Sequence, residues 1–183
     1  MQPRSSLSLA MMLTMAVPAS PYLVDASQQP PEKPAIPIPE SLRVEHEAIH
    51  SALVEATKAP GAVGEAARAL AEVLHPHFER EEEIALPPLG LLAPLAAGER
   101  PPGMAEVLVM TDALKRELPR MLEEHKQVLA AAEKLRAAAR EARAPKHEEF
   151  AAALALHAQT EEQVLYPAAL LVGEVVRARL EGK

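Results

Sequence analysis

The sequence predicts an all-α fold, an antiparallel four-helix bundle built from two repeated helix pairs. Three observations predict it. Of the 183 residues 49% are apolar, yet there are only two Phe, two Tyr and no Trp. Leu, Val and Ala must therefore fill the core, as helix-on-helix packing prefers. Four stretches with apolar residues at helical spacing are separated by Pro and Gly. The chain also carries one histidine-bearing helix pair twice.

The elements follow in order. Residues 1–39 read as an N-terminal extension and Pro-rich linker, and 40–183 as the helical domain. Arg4 precedes an apolar run from Leu7 to Val17, followed by small residues. The run reads either as a weak secretory signal peptide within residues 1–26 or as a plain extension. The plain extension implies a cytoplasmic protein, the signal peptide an exported one. Eleven residues cannot span a bilayer as a helix, so no membrane span is expected. Helix one can start at Ser41 and stop at Pro60-Gly61. Helix two begins near Gly64 and runs towards Pro87-Pro88, with Pro76 costing one backbone hydrogen bond. A Pro/Gly-rich connection passes through Arg100-Pro-Pro-Gly103. Helix three covers roughly Ala105 to Ala142, bent at Pro119, and helix four runs from Pro145 towards Leu180, bent at Pro167.

The repeat lies in the second and fourth helices. Helix two carries His77-Phe-Glu-Arg-Glu81-Glu82 and then Pro87; helix four carries His157-Ala-Gln-Thr-Glu161-Glu162 and then Pro167. Helices one and three carry Glu45-His46 and Glu124-His125. His46 precedes His77 by 31 residues, and His125 precedes His157 by 32. The two halves are the same unit written twice, with a two-fold pseudo-symmetry able to set two ligand groups across one core.

At about 100° per residue, each His shares its face with apolar side chains. His46 lies with Leu42, Ile49 and Leu53, and His77 with Leu70, Val73 and Ile84. His125 lies with Leu114, Leu118, Met121, Val128 and Ala132. His157 lies with Phe150, Ala153, Val164, Ala168 and Leu171. Glu81 and Glu161 fall one turn along the same stripes, whereas Glu82 and Glu162 turn about 140° away, towards solvent. One His in an apolar stripe is usually a hydrogen-bonded core residue. Four with two carboxylates are different, because an unpaired buried carboxylate costs several kcal/mol against a total stability of about 5–15 kcal/mol. A metal-free structural bundle with His–Glu ion pairs is one solution; cations shared by all six groups are the other. With no Cys in the chain, thiolate ligands and iron–sulfur clusters are excluded. Imidazole and carboxylate suit iron or manganese, and zinc on ligand type alone. The metal candidates are His46, His77, Glu81, His125, His157 and Glu161, with His50, four residues after His46, as a further candidate.

The doubled His-x-x-x-Glu-Glu motif, with a Glu-His pair in helices one and three, resembles the hemerythrin/HHE cation-binding family across roughly residues 41 to 175. The resemblance implies two non-haem irons bridged by two carboxylates and an oxygen species. It implies His46 and His77 on one iron, His125 and His157 on the other, and Glu81 and Glu161 as bridges. Met121 stands where the oxygen-carrying members have a second His. Glu161 lies four residues after its His, where the carriers have an Asp at five. The chain thus resembles the HHE branch rather than the carriers.

His75 and His147 are expected to face solvent, as is the run Glu79–Glu83 apart from Glu81; Tyr166 reads as packing. A ferritin-like alternative rests on Glu47-x-x-His50 and Glu72-x-x-His75, but His125, His147 and His157 have no Glu three residues earlier. The net charge of -7 and the lack of a basic, aromatic stretch argue against nucleic acid. The expected function is binding or sensing of dioxygen or a related small oxidant (nitric oxide, peroxide) at a di-iron centre. The alternatives are an enzyme reducing peroxide or nitrogen oxides there, and the metal-free bundle. The lack of a nucleophile motif, a phosphate loop or a separate substrate domain favours the binding module over the enzyme.

Overall fold

Leu42 and Arg43 donate their backbone N–H groups to the Pro39 carbonyl, so helix α1 begins before Ser41 and spans Glu40–Thr57. No side chain caps it; Ser41 is not the N-cap. The computed structural model describes residues 36–182. The signal-peptide reading and nearly all of the Pro-rich linker lie outside the described residues.

Helix α2 spans Gly61–Arg80, starting three residues before the expected Gly64 and passing through Pro76. The connection after it is more ordered than its Pro/Gly content suggested. It holds a 3-10 turn, Pro87–Leu91, and a short helix α3, Leu92–Ala96. Helix α4, Met104–Glu141, is the long third helix, entered from Gly103 at φ +84°, a left-handed conformation that glycine adopts without strain. The last stretch holds α5, Pro145–Thr160, and α6, Tyr166–Leu180. The described residues contain helices and no strand.

Two widened turns interrupt the long helices at equivalent places. Glu81–Ala85 follows α2 and Glu161–Leu165 joins α5 to α6, both π-helical. Their closing bonds run from the Leu86 N–H to the Glu81 carbonyl and from the Tyr166 N–H to the Glu161 carbonyl. The prolines of the repeat explain the position. Pro87 and Pro167 stand one residue beyond, lack an N–H, and crowd the carbonyl four residues back, so the turn before each opens by one residue.

That extra residue corrects the expected stripe in helix four. Val164 and Leu171 are 55% and 61% exposed, not core. The buried face shifts by one position, to Tyr166, Ala169, Val172, Gly173 and Val176. Before the turn, Ala153 is exposed and Ala151 and Leu154 are buried in its place. Helices one and three keep their predicted faces around His46 and His125.

The core is in apolar clusters with a polar layer between two of them. Ile49, Leu53, Leu70, Leu74, Phe78, Val128 and Leu154 pack on one side of the histidines. Ile84, Leu86, Leu114, Met121, Tyr166 and Ala169 pack on the other. A third cluster joins Leu95, Met104, Val107, Val172 and Val176.

Close approach of α4 and α6 depends on Gly173, where a Cβ would lie 2.7 Å from the Thr111 Cβ and nearer still to its hydroxyl oxygen. The Thr111 hydroxyl is itself committed to the Val107 carbonyl at 2.9 Å. Gly173→Ala is therefore expected to destabilise the fold by about 1–3 kcal/mol through overpacking. Denaturant unfolding checks this; an unchanged midpoint would contradict the close contact.

Candidate metal centre

Four helical stretches each deliver one histidine to the same layer. His46 comes from α1, His77 from α2, His125 from α4 and His157 from α5, and all four are buried. Glu81 and Glu161, the first residues of the two π turns, are 0% and 1% exposed. All six candidates therefore meet.

They meet in an order that differs from the partition implied by the resemblance. His77, His125, Glu81 and Glu161 form one set, and His46, His157 and Glu161 the other. Ring centroids of His77 and His125 are 4.5 Å apart, those of His46 and His157 5.2 Å. Helix adjacency alone allows either pairing, since α2 and α5 each lie against both α1 and α4; the positions of the rings decide it. His46 and His77 thus belong to different sets.

Glu161 joins the two. Its Oε1 lies 3.0 Å from His157 Nε2 and 3.5 Å from His46 Nε2, while its Oε2 lies 3.3 Å from His125 Nε2. Glu81 Oε1 lies 3.3 Å from His77 Nε2, and its Oε2 is 4.0 Å from His46 Nε2. Among the described residues, Nε2 of His46, His77 and His157 has no hydrogen-bond partner, nor do Glu81 Oε2 and Glu161 Oε1. Buried polar atoms in this condition are costly unless something else satisfies them. Their convergence, and a donor set of imidazole and carboxylate only, fits a cation centre.

A second ring of carboxylates holds the imidazoles. Nδ1 of His46 faces Glu82 at 3.4 Å, and Nδ1 of His125 faces Glu162 at 2.9 Å. Nδ1 of His77 and of His157 meet Glu124 and Glu45, each at 3.1 Å. An ionised carboxylate only accepts, so each Nδ1–H donates outward and each Nε2 faces inward, towards the cluster, where a bound cation would take the place of any proton. The pattern obeys the sequence repeat: Glu45 serves the histidine of α5 as Glu124 serves that of α2. Glu82 and Glu162 are indeed partly exposed, as their helical angle predicted, yet they are not idle surface. Arg80 bonds Glu124 at 2.8 Å, and Arg120 bonds it at 2.9 Å. Burial disfavours the Glu124 charge, but His77 and Arg80 outweigh it and keep its pKa low.

Electrostatics in the cluster are those of a site short of positive charge. Burial and the neighbouring Glu161 charge raise the Glu81 pKa. Burial also works against Glu161, but three imidazoles hold its pKa well below the usual value. Burial would lower the His157 pKa; Glu161, then Glu45 and Glu81, raise it to about 9. The same balance, with Glu81 and Glu124 the main partners, raises that of His77.

One residue read as packing belongs here. Tyr166 is 1% exposed, and its hydroxyl donates a short hydrogen bond to Glu81 Oε1 and lies 3.2 Å from His125 Nε2. Its signal in the sequence was a hydroxyl-bearing residue directly before the repeated proline. His50 does not join the cluster; it lines a cleft of about 480 Å³ between α1 and α2, with His46, Leu53, Leu74 and Phe78. A second cleft, of about 390 Å³, lies between α1 and α5, with His157 and Phe150 in its wall. His75 is exposed and pairs with Glu79, as expected of a surface residue, while His147 is half-buried in the wall of the second cleft.

A family model described as the hemerythrin HHE cation-binding domain matches residues 38–169, well over half of the chain. Comparison with curated proteins and with solved structures finds no match.

His77→Ala and His157→Ala are expected to abolish tight metal binding, whereas His75→Ala and His147→Ala leave it intact. Elemental analysis after desalting checks this, and equal loss from His75→Ala would break the argument from helix faces. Glu124→Ala should weaken affinity about 10–100-fold by freeing the His77 ring. Chelation should lower the melting temperature, since a cation bound only to the folded chain stabilises it by mass action. Identical melting of the loaded and stripped protein would count against a buried site.

Proposed function

Because the chain belongs to the hemerythrin HHE cation-binding family, we propose that it binds two non-haem iron ions and takes up or senses dioxygen or a related small oxidant there. The observation that carries this reading is the pair of His/Glu sets sharing Glu161. Two sets that share one carboxylate suit two neighbouring cations better than two separate ones. His46, His157, His77 and His125 would hold the metals, with Glu81 and Glu161 between them. Bound iron would supply one-electron chemistry towards oxygen species, while the chain's own residues orient the imidazoles through Glu45, Glu82, Glu124 and Glu162. Manganese or zinc satisfies the same donors.

The bundle reads as antiparallel, and contacts along α1 and α5 support it. Glu45 meets His157, while Glu55, ten residues later, meets Lys146.

The clefts argue against an oxygen carrier. A carrier keeps its ligand dry, because water and protons turn reversible binding into oxidation. Here His46 and His157 stand in the walls of clefts that also hold Glu47, His50, His75, Glu79 and Lys146. Solvent in the clefts comes up against these two rings, while their inward-facing Nε2 atoms stay buried. The same clefts favour, as a second reading, an enzyme that reduces peroxide or nitrogen oxides.

The ferrous-loaded protein is expected to oxidise in air within minutes and to bind nitric oxide or azide. Stopped-flow spectra after mixing anaerobic ferrous protein with dioxygen test this. Full recovery of the starting spectrum under argon would identify a carrier and overturn the reading against reversible binding. Met121→His, which adds an imidazole donor on the buried face of α4, should slow the oxidation.

A further inference from the structure

The two halves align His with His, Glu-Glu with Glu-Glu and Pro with Pro, and one of the positions at which they differ lies inside the centre. Nine residues after His77 stands Leu86; nine residues after His157 stands Tyr166. Each directly follows its π turn and precedes its proline, and each is buried, at 0% and 1% exposure. In an uninterrupted helix, nine residues would turn Tyr166 about 180° away from His157. The one-residue expansion at Glu161–Leu165 brings it back to the inner face. The phenol oxygen thereby arrives at Glu81 Oε1 and 3.2 Å from His125 Nε2, with its ring stacked beside that imidazole at 5.6 Å.

These are the spacings that the other candidate donors keep among themselves. His77 Nε2 to Glu81 Oε1 and His125 Nε2 to Glu161 Oε2 are each 3.3 Å. The Tyr166 oxygen lies within the ring of donor atoms, not behind it. A phenol oxygen is a hard anionic donor once its proton is gone, well matched to ferric iron. We propose that Tyr166 is a seventh ligand of the centre, on the His77–His125 half. The inference rests on the di-iron reading above. On ligation the phenol O–H bond breaks and an oxygen–metal bond forms, the proton leaving to water by way of the Glu81 oxygen it already touches.

The consequence is a centre with unequal halves. The His77–His125 half gains an oxygen donor from Tyr166. The His46–His157 half has the hydrocarbon of Leu86 at the equivalent position, and it is also the half whose histidines line the two clefts. Exogenous small ligands then bind at the His46–His157 half.

The test uses the full-length protein loaded anaerobically with ferrous iron and then oxidised. The expected result is a broad phenolate-to-ferric absorption in the visible, with tyrosine ring modes enhanced in resonance Raman. Tyr166→Phe should remove both while Tyr22→Phe, which alters the only other tyrosine, keeps both. Iron content is measured on the same samples. Iron bound to the wild type without the phenolate signal, or a signal that Tyr22→Phe removes, would overturn the ligand assignment alone. A wild type that takes up no iron would overturn the di-iron reading and this inference together. The wild-type spectrum decides the matter even if Tyr166→Phe fails to fold.

Discussion

Two carboxylates buried side by side at the middle of a helical bundle set the terms for everything around them. Glu81 and Glu161 are cut off from water, and like charges this close in a low-dielectric core cannot both stand uncompensated. Breaking such an arrangement by removing one partner costs several kcal/mol, a large part of what holds a domain of this size together. Four imidazoles surround the pair, and four further carboxylates restrain the imidazoles from outside. The apolar clusters on either side enclose this layer.

The arrangement is crossed. Each outer carboxylate belongs to a different helical stretch from the ring it holds: Glu82 to His46, Glu124 to His77, Glu162 to His125 and Glu45 to His157. No helix can therefore rotate or slide without disturbing a histidine on a neighbour. The adjacent Glu-His and Glu-Glu letters of the motif are explained by this geometry. One residue of each pair points inward and the next reaches sideways to another helix. The position of all four rings thus depends on correct packing of the whole bundle, and the metal-type donors converge only in the folded chain.

Much of this was legible in the sequence, and the failures have physical causes. Helical spacing brought the six central residues to one layer, because His46, His77, His125 and His157 each sit in an apolar stripe. The pairing of the histidines came from the family resemblance rather than from spacing, and the rings, His77 beside His125 and His46 beside His157, depart from it. Helical spacing lost the face of helix four after Glu161. Val164 and Leu171 were assigned inward by a period of 3.6 residues, which a widened turn violates. The same turn hid Tyr166, whose place in the core follows only once the extra residue is counted. Glu45 and Glu124 were noted as part of the motif without a role, because an outward-leaning carboxylate is indistinguishable from surface charge until its partner on another helix is known.

The repeat has a further meaning at Leu86 and Tyr166. Two separate copies of one helix pair, associating around an axis, must present identical residues at both ends of that axis; any change in one is a change in the other. A single chain that contains the pair twice is free of that bond. Each copy can drift by itself, and a substitution that would be ruinous in duplicate becomes tolerable alone. Joining the copies thus opens a class of sites that symmetric assemblies cannot reach, in which one end is specialised for holding and the other for exchange.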